Sequence, residues 1–222
     1  MPDATALLSG VSVFSGATPE ELARVVSASF PRRLARGQVL FVEGEPSEHL
    51  FVVISGRVKV LVGSTRGEEL VLAVLGPGDA LGELGILDGD VRSAGAEALD
   101  DVELLAVPAA VVVDLLAQSP RVAHAVAQEL AATVRRLTGS TADLVFLDLP
   151  RRLAKLLLET AGPGSDDAEL GMAQSEVAAR LGVTRQSLNR ALAGLQRRGW
   201  IEVQRNHVRL RARDALERFA TS

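Results

Sequence analysis

Two short segments of the chain carry side chains suited to holding a phosphorylated ligand. The first is Gly82-Glu83-Leu84, and the second, a few residues later, is Arg92-Ser93-Ala94. An arginine fork matches phosphate oxygens, a carboxylate accepts hydrogen bonds from a hydroxyl, and a glycine lets the backbone approach a ligand. These residues predict a site for a phosphate and a hydroxyl. The alternative is that Glu83 and Arg92 simply pair with each other across a turn.

A second group of polar side chains, near the C-terminus, is suited to contacting DNA. A helix broken at Gly182 is followed by another that begins at Thr184 as its N-cap. On this second helix the apolar side is formed by Leu188, Ala191, Leu192 and Leu195. The opposite, polar side is formed by Arg185, Gln186, Asn189 and Arg190. Arginine can donate two hydrogen bonds to guanine, and glutamine or asparagine can pair with adenine, so we expect this side to read bases in a major groove.

Two alternating segments beyond this helix, 200–204 and 207–210, predict a wing hairpin around Arg205-Asn206. A helix, a glycine turn, a capped second helix and a wing together favour a DNA-binding module over an ordinary helical hairpin with a solvated basic face. The predicted DNA-contacting residues are Thr184, Arg185, Gln186, Ser187, Asn189, Arg190 and Arg205.

The composition excludes several classes of site. The 222 residues contain no cysteine, which rules out disulfides, thiolate nucleophiles and cysteine-held iron–sulfur clusters, haem or zinc. His49, His124 and His207 are scattered singly, so a metal enzyme on a cupin-like barrel is disfavoured, and we expect neither a metal nor catalytic residues. The longest apolar run, 104–113, is too short to span a bilayer, and the N-terminus lacks a secretory signal. We therefore expect a cytoplasmic protein with no membrane partner.

Short apolar or alternating runs separated by glycine fill the region from Leu34 to Val107. Turn signals recur between them at short intervals, which favours an antiparallel barrel or roll over a parallel sheet with crossover helices. A helical region from Thr18 to Ser29 precedes these strands, with Thr18 as the predicted N-cap.

A long helix with a heptad pattern is predicted between Pro120 and Leu147. The positions of its apolar stripe are Ala123, Val126, Leu130, Thr133, Leu137, Ser140, Leu144 and Leu147. Because a helix with one narrow apolar stripe usually needs a partner helix, we expect a symmetric homodimer. The alternative is that the stripe packs on the chain's own barrel.

The chain divides into an acidic body and a basic C-terminal part. Residues 1–148 carry 11 basic and 20 acidic side chains, whereas residues 149–222 carry 13 and 8. This asymmetry is typical of a chain in which one module binds a polyanion and the other does not. Asp148 is a predicted N-cap ahead of Pro150, which places a boundary there. The predicted domains are 1–119, 120–147 and 148–222.

The sequence resembles the catabolite activator protein (CRP/FNR) superfamily, in its cyclic-AMP-receptor-like branch, over nearly the whole chain. Residues 82–84 with 92–94 are similar to the phosphate-binding cassette of that family, 144–148 to its hinge and 183–190 to its recognition helix. The resemblance implies an α+β fold: an N-terminal antiparallel β-roll (jelly roll) of the cyclic nucleotide-binding type, a long dimerisation helix and a C-terminal winged helix-turn-helix.

The resemblance also implies a ligand site. The residues that it implies are Gly82, Glu83, Leu84, Arg92, Ser93, Leu137 and Thr138. Arg92 and Ser93 would hold a cyclic phosphate, and Glu83 with the Gly82 backbone would hold the ribose 2′-hydroxyl. One departure concerns the base, because Leu137 stands where cyclic-AMP-binding relatives tend to offer a threonine. Losing one hydrogen-bonding partner for the base usually weakens discrimination by about 1–3 kcal/mol.

The function that follows is a ligand-gated, sequence-specific DNA-binding regulator of transcription, without enzymatic activity. Cyclic AMP is the first candidate effector and cyclic GMP the second. The expected partners are a palindromic double-stranded DNA operator and a second copy of the chain, and RNA polymerase is the further partner that the resemblance admits. The alternative is a regulator with the same fold that is independent of ligand or gated by a different small molecule.

Overall fold

The computed structural model describes residues 4–63, 69–169, 174–204 and 207–221. These residues form nine α-helices, one short 3-10 helix and eleven strands. The chain divides into two compact units, residues 1–63 with 72–135, and residues 64–71 with 136–222. The division falls within the longest helix, and the predicted domain boundaries at residues 119 and 147 stay a prediction. No helix of the described residues is long and apolar enough to cross a bilayer.

Helices open the first unit. They are α1 (Ala4–Ser9), a 3-10 turn (Ser12–Phe14) and α2 (Pro19–Ala28). The predicted cap of α2 is confirmed, because Thr18 Oγ1 accepts a hydrogen bond from Glu21 N at 3.2 Å, and Glu21 Oε2 accepts one from Thr18 N at 2.7 Å. This reciprocal pair satisfies two backbone donors that a helix start would otherwise leave unpaired.

The eight strands that end before residue 109 form two four-stranded sheets. They are β1 (Phe30–Leu34), β2 (Val39–Phe41), β3 (His49–Ser55), β4 (Val58–Gly63), β5 (Glu69–Leu75), β6 (Ala80–Leu81), β7 (Gly95–Ala98) and β8 (Val102–Pro108). The strand orders are β1-β8-β3-β6 and β2-β7-β4-β5. The strand pairs whose register is described are antiparallel, as predicted, although β1 begins four residues before Leu34.

Side chains from both sheets share one apolar core. Val53 and Leu104 come from the first sheet, and Val58 and Ala96 from the second, and all four are almost completely buried. Successive residues of β3 contribute to two different cores, since Phe51 and Val53 belong to this one and Leu50 and Val52 to a separate cluster, so both faces of that strand are buried. The core fixes the ends of β2, β3 and β6, where the candidate ligand site lies.

Three further helices follow or interrupt these strands: α3 (Leu84–Leu87), α4 (Ala109–Gln118) and α5 (Pro120–Phe146). The first part of α5 packs on its own unit, because Val126 is buried in a core cluster and Leu130 packs against that cluster. Further along, Leu137 is 50% exposed and Leu144 is 55% exposed. The stripe therefore packs on the chain's own fold at Val126 and in part at Leu130, as the alternative expected, whereas its interpretation as a dimer seam stays a prediction.

The second unit contains α6 (Leu149–Ala161), β9 (Asp167–Glu169), α7 (Gln174–Arg180), α8 (Arg185–Arg197), β10 (Ile201–Gln204), β11 (His207–Leu210) and α9 (Arg213–Thr221). The predicted cap of α6 is confirmed, since Asp148 Oδ1 accepts a hydrogen bond from Arg151 N at 3.1 Å. An apolar core that includes Leu153, Leu188 and Leu216 joins α6, α8 and α9.

The wing sheet has one strand more than the sequence predicted. Strand β9 pairs antiparallel with β11, giving the order β10-β11-β9. The sequence did not predict β9, which begins at Asp167. Ala168 is completely buried within this strand. One buried side chain in three residues gives no alternating apolar pattern that could be recognised in the sequence.

Candidate ligand site and nucleic-acid interface

Arg92 is a charged side chain buried within the first unit, with only 4% of its surface exposed. Its Nη1 donates a hydrogen bond to Gly82 O at 2.7 Å, and its Nη2 donates one to His49 O at 2.6 Å. The buried Nε has no hydrogen-bond partner. A buried donor without a partner is costly in a folded protein, so this atom is suited to meeting a ligand.

The Gly82 position depends on the absence of a side chain. Its φ angle is +85°, and a Cβ built there would lie 2.1 Å from Arg92 Nη1. Gly82 directly follows β6, and its carbonyl oxygen accepts the hydrogen bond from the guanidinium. The predicted pairing of Gly82 and Arg92 in one site is thus present in the geometry, through a contact that any other residue would block.

Two aromatic rings lie beside the Arg92 guanidinium. Its Cζ is 4.2 Å from the centroid of the Phe41 ring and 5.7 Å from that of Phe51. The two rings stack with their centroids 5.9 Å apart and their planes at 24°. The negative face of an aromatic ring attracts a cation, and this attraction is stronger where water is excluded.

Acidic side chains surround the same cation. Burial lowers the pKa of the Arg92 guanidinium, and the carboxylates of Glu45, Glu83 and Glu48 oppose this by favouring the charged form. Arginine stays protonated in proteins, so the site holds one buried positive charge on which three carboxylates act through space.

The other predicted ligand residues of this unit flank Arg92 and Gly82. Glu83 is partly buried and precedes α3, whereas Leu84 and Ser93 are exposed. The alternative of a direct Glu83–Arg92 pair is not what is found, since among the described residues the guanidinium bonds to two carbonyl oxygens and not to a carboxylate. The Glu83 charge acts on Arg92 through space.

The remaining predicted ligand residues belong to the second unit. Leu137 and Thr138 are exposed on the later part of α5. Their role toward a ligand stays a prediction. No group of three His, Asp or Glu side chains suited to holding a metal ion occurs among the described residues.

Sequence reasoning missed the residues that hold Arg92 in place. The His49 carbonyl accepts its hydrogen bond across 43 positions of the chain, and Phe41 and Phe51 come from separate strands. The His49 ring itself packs edge-on against the Phe30 ring, with the two centroids 5.3 Å apart. Nothing in the local sequence around Arg92 signals these long-range neighbours.

The helix-turn-helix of the second unit is built as predicted. Gly182, with φ at +64°, lies in the turn between α7 and α8. Thr184 caps α8, because its Oγ1 accepts a hydrogen bond from Ser187 N at 3.2 Å. The predicted apolar side of α8 is buried in full, namely Leu188, Ala191, Leu192 and Leu195.

The opposite side of α8 is exposed and forms a shallow groove. Its lining residues are Arg185, Gln186, Asn189, Arg190, Ala193 and Arg197. Four of these were predicted to read DNA. Sequence reasoning missed Arg197, which lies on the same side because it follows Arg190 by seven residues, two helical turns later. Arg205 of the wing lies outside the described residues.

Two known domain families match the chain. Residues 31–119 match the cyclic nucleotide-binding domain, and residues 151–219 match the Crp-like helix-turn-helix domain. The "CRP-like cAMP-activated global transcriptional regulator" of Mycobacterium tuberculosis is 31% identical over 220 residues, which cover 96% of this chain and 98% of that protein. The chain belongs to the catabolite activator protein (CRP/FNR) superfamily.

Solved structures similar to this CRP/FNR protein share its fold. The catabolite activator protein of Thermus thermophilus is 32% identical, covers 95% of this chain and 98% of that one, and gives a TM-score of 0.55. The regulator CLP of Xanthomonas campestris, described as c-di-GMP responsive, is 25% identical, covers 87% and 99%, and gives a TM-score of 0.75. The predicted family, fold class and non-enzymatic role as a DNA-binding regulator of transcription are confirmed.

Proposed function

We propose that this CRP/FNR protein is a homodimeric regulator of transcription whose affinity for operator DNA is controlled by a cyclic nucleotide, with cyclic AMP as the first candidate. The observation that carries the proposal is the buried Arg92 guanidinium, whose Nε has no partner. It lies beside Gly82 within the segment that matches the cyclic nucleotide-binding family.

The chemistry of this site favours a ligand with a single negative charge. Arg92 supplies one positive charge, and Glu45, Glu48 and Glu83 act on it with negative charge. A cyclic phosphodiester carries one negative charge, whereas a phosphate monoester near neutral pH carries nearly two. In the bound state Arg92 and Ser93 would contact the cyclic phosphate, and Glu83 with the Gly82 backbone would accept and donate at the ribose 2′-hydroxyl.

The base selects among cyclic nucleotides. The M. tuberculosis relative is described as cAMP-activated, which supports cyclic AMP. Leu137 offers no hydrogen bond at a position where cyclic-AMP-binding relatives tend to have threonine, so Thr138 is the remaining polar candidate for the base. The X. campestris relative is described as c-di-GMP responsive, so effectors differ between members of the superfamily.

Calorimetric titration with cyclic AMP, cyclic GMP and c-di-GMP tests the effector. We expect cyclic AMP to bind most tightly and Arg92→Ala to abolish measurable binding. The matched control is Arg33→Ala, which removes an exposed arginine from the same unit and should leave binding unchanged. If c-di-GMP bound most tightly, it would take the place of cyclic AMP as the proposed effector. If Arg92→Ala bound cyclic AMP normally, the ligand site would not include Arg92.

The DNA-binding function is supported by the exposed side of α8 and by the match to the Crp-like helix-turn-helix domain. In a symmetric dimer two such helices enter successive major grooves about 34 Å apart, a geometry for which the catabolite activator protein is one of the standard examples. The operator should therefore be a near-palindrome, and RNA polymerase is the further partner implied by transcription regulation.

Gating is tested by measuring operator affinity with and without cyclic AMP. A ligand changes DNA affinity only if it binds the DNA-competent state better than the other state. We expect tighter DNA binding with the ligand in the unaltered protein and no response in Arg92→Ala. Equal DNA affinity with and without bound ligand would favour the alternative of a ligand-independent regulator.

A further inference from the structure

The Arg92 guanidinium is held by two different kinds of contact. The hydrogen bonds to Gly82 O and His49 O occupy two of its five N–H donors. The Phe41 ring, 4.2 Å away, covers it from another direction. Hydrogen bonds to two carbonyl oxygens restrain the Nη atoms, but they leave the group able to tilt about the line that joins them.

Phe41 is well placed to prevent that tilt. Its ring is buried, with 8% of its surface exposed, and stacks against the equally buried Phe51. A ring supported in this way cannot easily rotate away from the guanidinium. We propose that Phe41 is a positioning residue of the ligand site, which holds the Arg92 guanidinium in the orientation in which both Nη atoms are engaged and the Nε–H is the donor left for an anionic ligand.

This inference rests on the proposed function, in which Arg92 receives the phosphate. It adds that affinity depends on an aromatic face at position 41 and not only on an apolar side chain of similar size. A leucine fills the core but offers no negative ring face, so a buried cation beside it is less stabilised. The burial that lowers the pKa of Arg92 makes this stabilisation matter.

Ligand affinity is the first readout, measured by calorimetric titration with cyclic AMP. Phe41→Leu should weaken binding about tenfold, which corresponds to about 1.4 kcal/mol. The separate variant Phe41→Tyr keeps the ring, so its affinity should stay within about threefold of that of the unaltered protein. The matched control is Phe14→Leu, which removes a buried ring from a separate core cluster and should leave affinity unchanged. Unchanged affinity in Phe41→Leu would overturn the inference.

The Nε–H resonance of Arg92 provides a second readout that needs no ligand. It is assigned in the ligand-free protein by its loss in Arg92→Lys. The heteronuclear NOE of this N–H group should indicate a rigid side chain in the unaltered protein and a more mobile one in Phe41→Leu, because the ring whose centroid is 4.2 Å from Cζ restrains the guanidinium. Phe41→Tyr and Phe14→Leu should leave it rigid. If Phe41→Leu does not fold, Phe41→Met, which keeps more of the volume, takes its place in both measurements.

The two readouts separate this inference from the proposed function. If the unaltered protein binds no cyclic nucleotide but the Arg92 Nε–H becomes mobile in Phe41→Leu, the proposed effector fails and the positioning role stands. If cyclic AMP binds and its affinity does not change in Phe41→Leu, the positioning role is wrong and the proposed function stands.

Discussion

Ser187 Oγ accepts a hydrogen bond from Arg190 Nη2 at 3.2 Å, and the same oxygen accepts one from the Thr184 hydroxyl at 3.1 Å. Thr184 is also the N-cap of α8. The cap of the helix is thus connected, through one serine hydroxyl, to the tip of an exposed arginine. A restrained arginine loses less side-chain entropy when it pairs with a base, so this chain of hydrogen bonds should favour reading by Arg190.

The first prediction concerns Ser187→Ala. Without the hydroxyl, Arg190 samples more rotamers, so we expect operator affinity to fall about threefold to tenfold and base preference to broaden at the position that Arg190 reads. Selection of binding sites from random DNA measures the preference. Ser187→Thr keeps the hydroxyl and serves as the control. Loss of preference at every position at once would instead indicate that the helix itself is damaged.

The second prediction concerns Gln186, which is exposed on the groove side of α8. A glutamate at this position would offer a carboxylate, which only accepts hydrogen bonds and therefore suits a cytosine amino group. Gln186 both donates and accepts, so its base preference should shift toward adenine. Sites selected by Gln186→Glu should differ from those of the unaltered protein at this base and agree at the arginine-read positions. Identical preferences would mean that Gln186 touches no base edge.

Much of the DNA-binding unit could be predicted because its signals are local. The Thr184 cap, the Gly182 turn and the two sides of α8 all arise within a few residues of one another, where period and propensity act directly. Residues 167–169 were missed for the opposite reason. Strand β9 is three residues long and exists through its pairing with β11, so tertiary contacts decide its conformation.

The ligand site could be predicted only in part. Gly82 and Arg92 stand out by their types and spacing, but Phe41, Phe51 and the His49 carbonyl reach Arg92 only after the sheets form. The stripe on α5 was similarly ambiguous, because an apolar heptad does not specify what covers it. Leu130 packs on its own unit, whereas Leu137 is exposed, and no difference in side-chain type distinguishes them.

The third prediction is a pH effect at the wing. Glu202 Oε2 accepts hydrogen bonds from Arg211 Nε, at 2.9 Å, and from Arg211 Nη2. The Arg211 hydrogen bonds and charge hold the pKa of Glu202 below its usual 4.5. A carboxyl whose pKa is lowered by folding adds stability above its ordinary pKa, and this contribution is lost as the pH falls through the lowered value.

Carbon-13 titration of the Glu202 carboxyl measures this pKa. Arg211→Gln should raise it toward its ordinary value, because the largest causes of the shift are removed. Arg209→Gln is the control, since the charge of Arg209 is the smallest cause that lowers this pKa, and it should produce a smaller rise. A larger rise in Arg209→Gln than in Arg211→Gln would contradict the assignment.

The fourth prediction is that the exposed later part of α5 forms the homodimer interface. Leu137→Asp places a charge in the apolar stripe, and burying it would be costly, so dimerisation should weaken. Light scattering of the unaltered protein should give about twice the 23.4 kDa chain mass, and Leu137→Asp should shift the mass toward that of one chain. Leu137 suits this test better than Leu130, which packs on its own unit. The control, Ala142→Asp, introduces the same charge at an exposed position off the stripe, and this variant should stay dimeric. A monomeric mass for the unaltered protein would contradict the proposed interface.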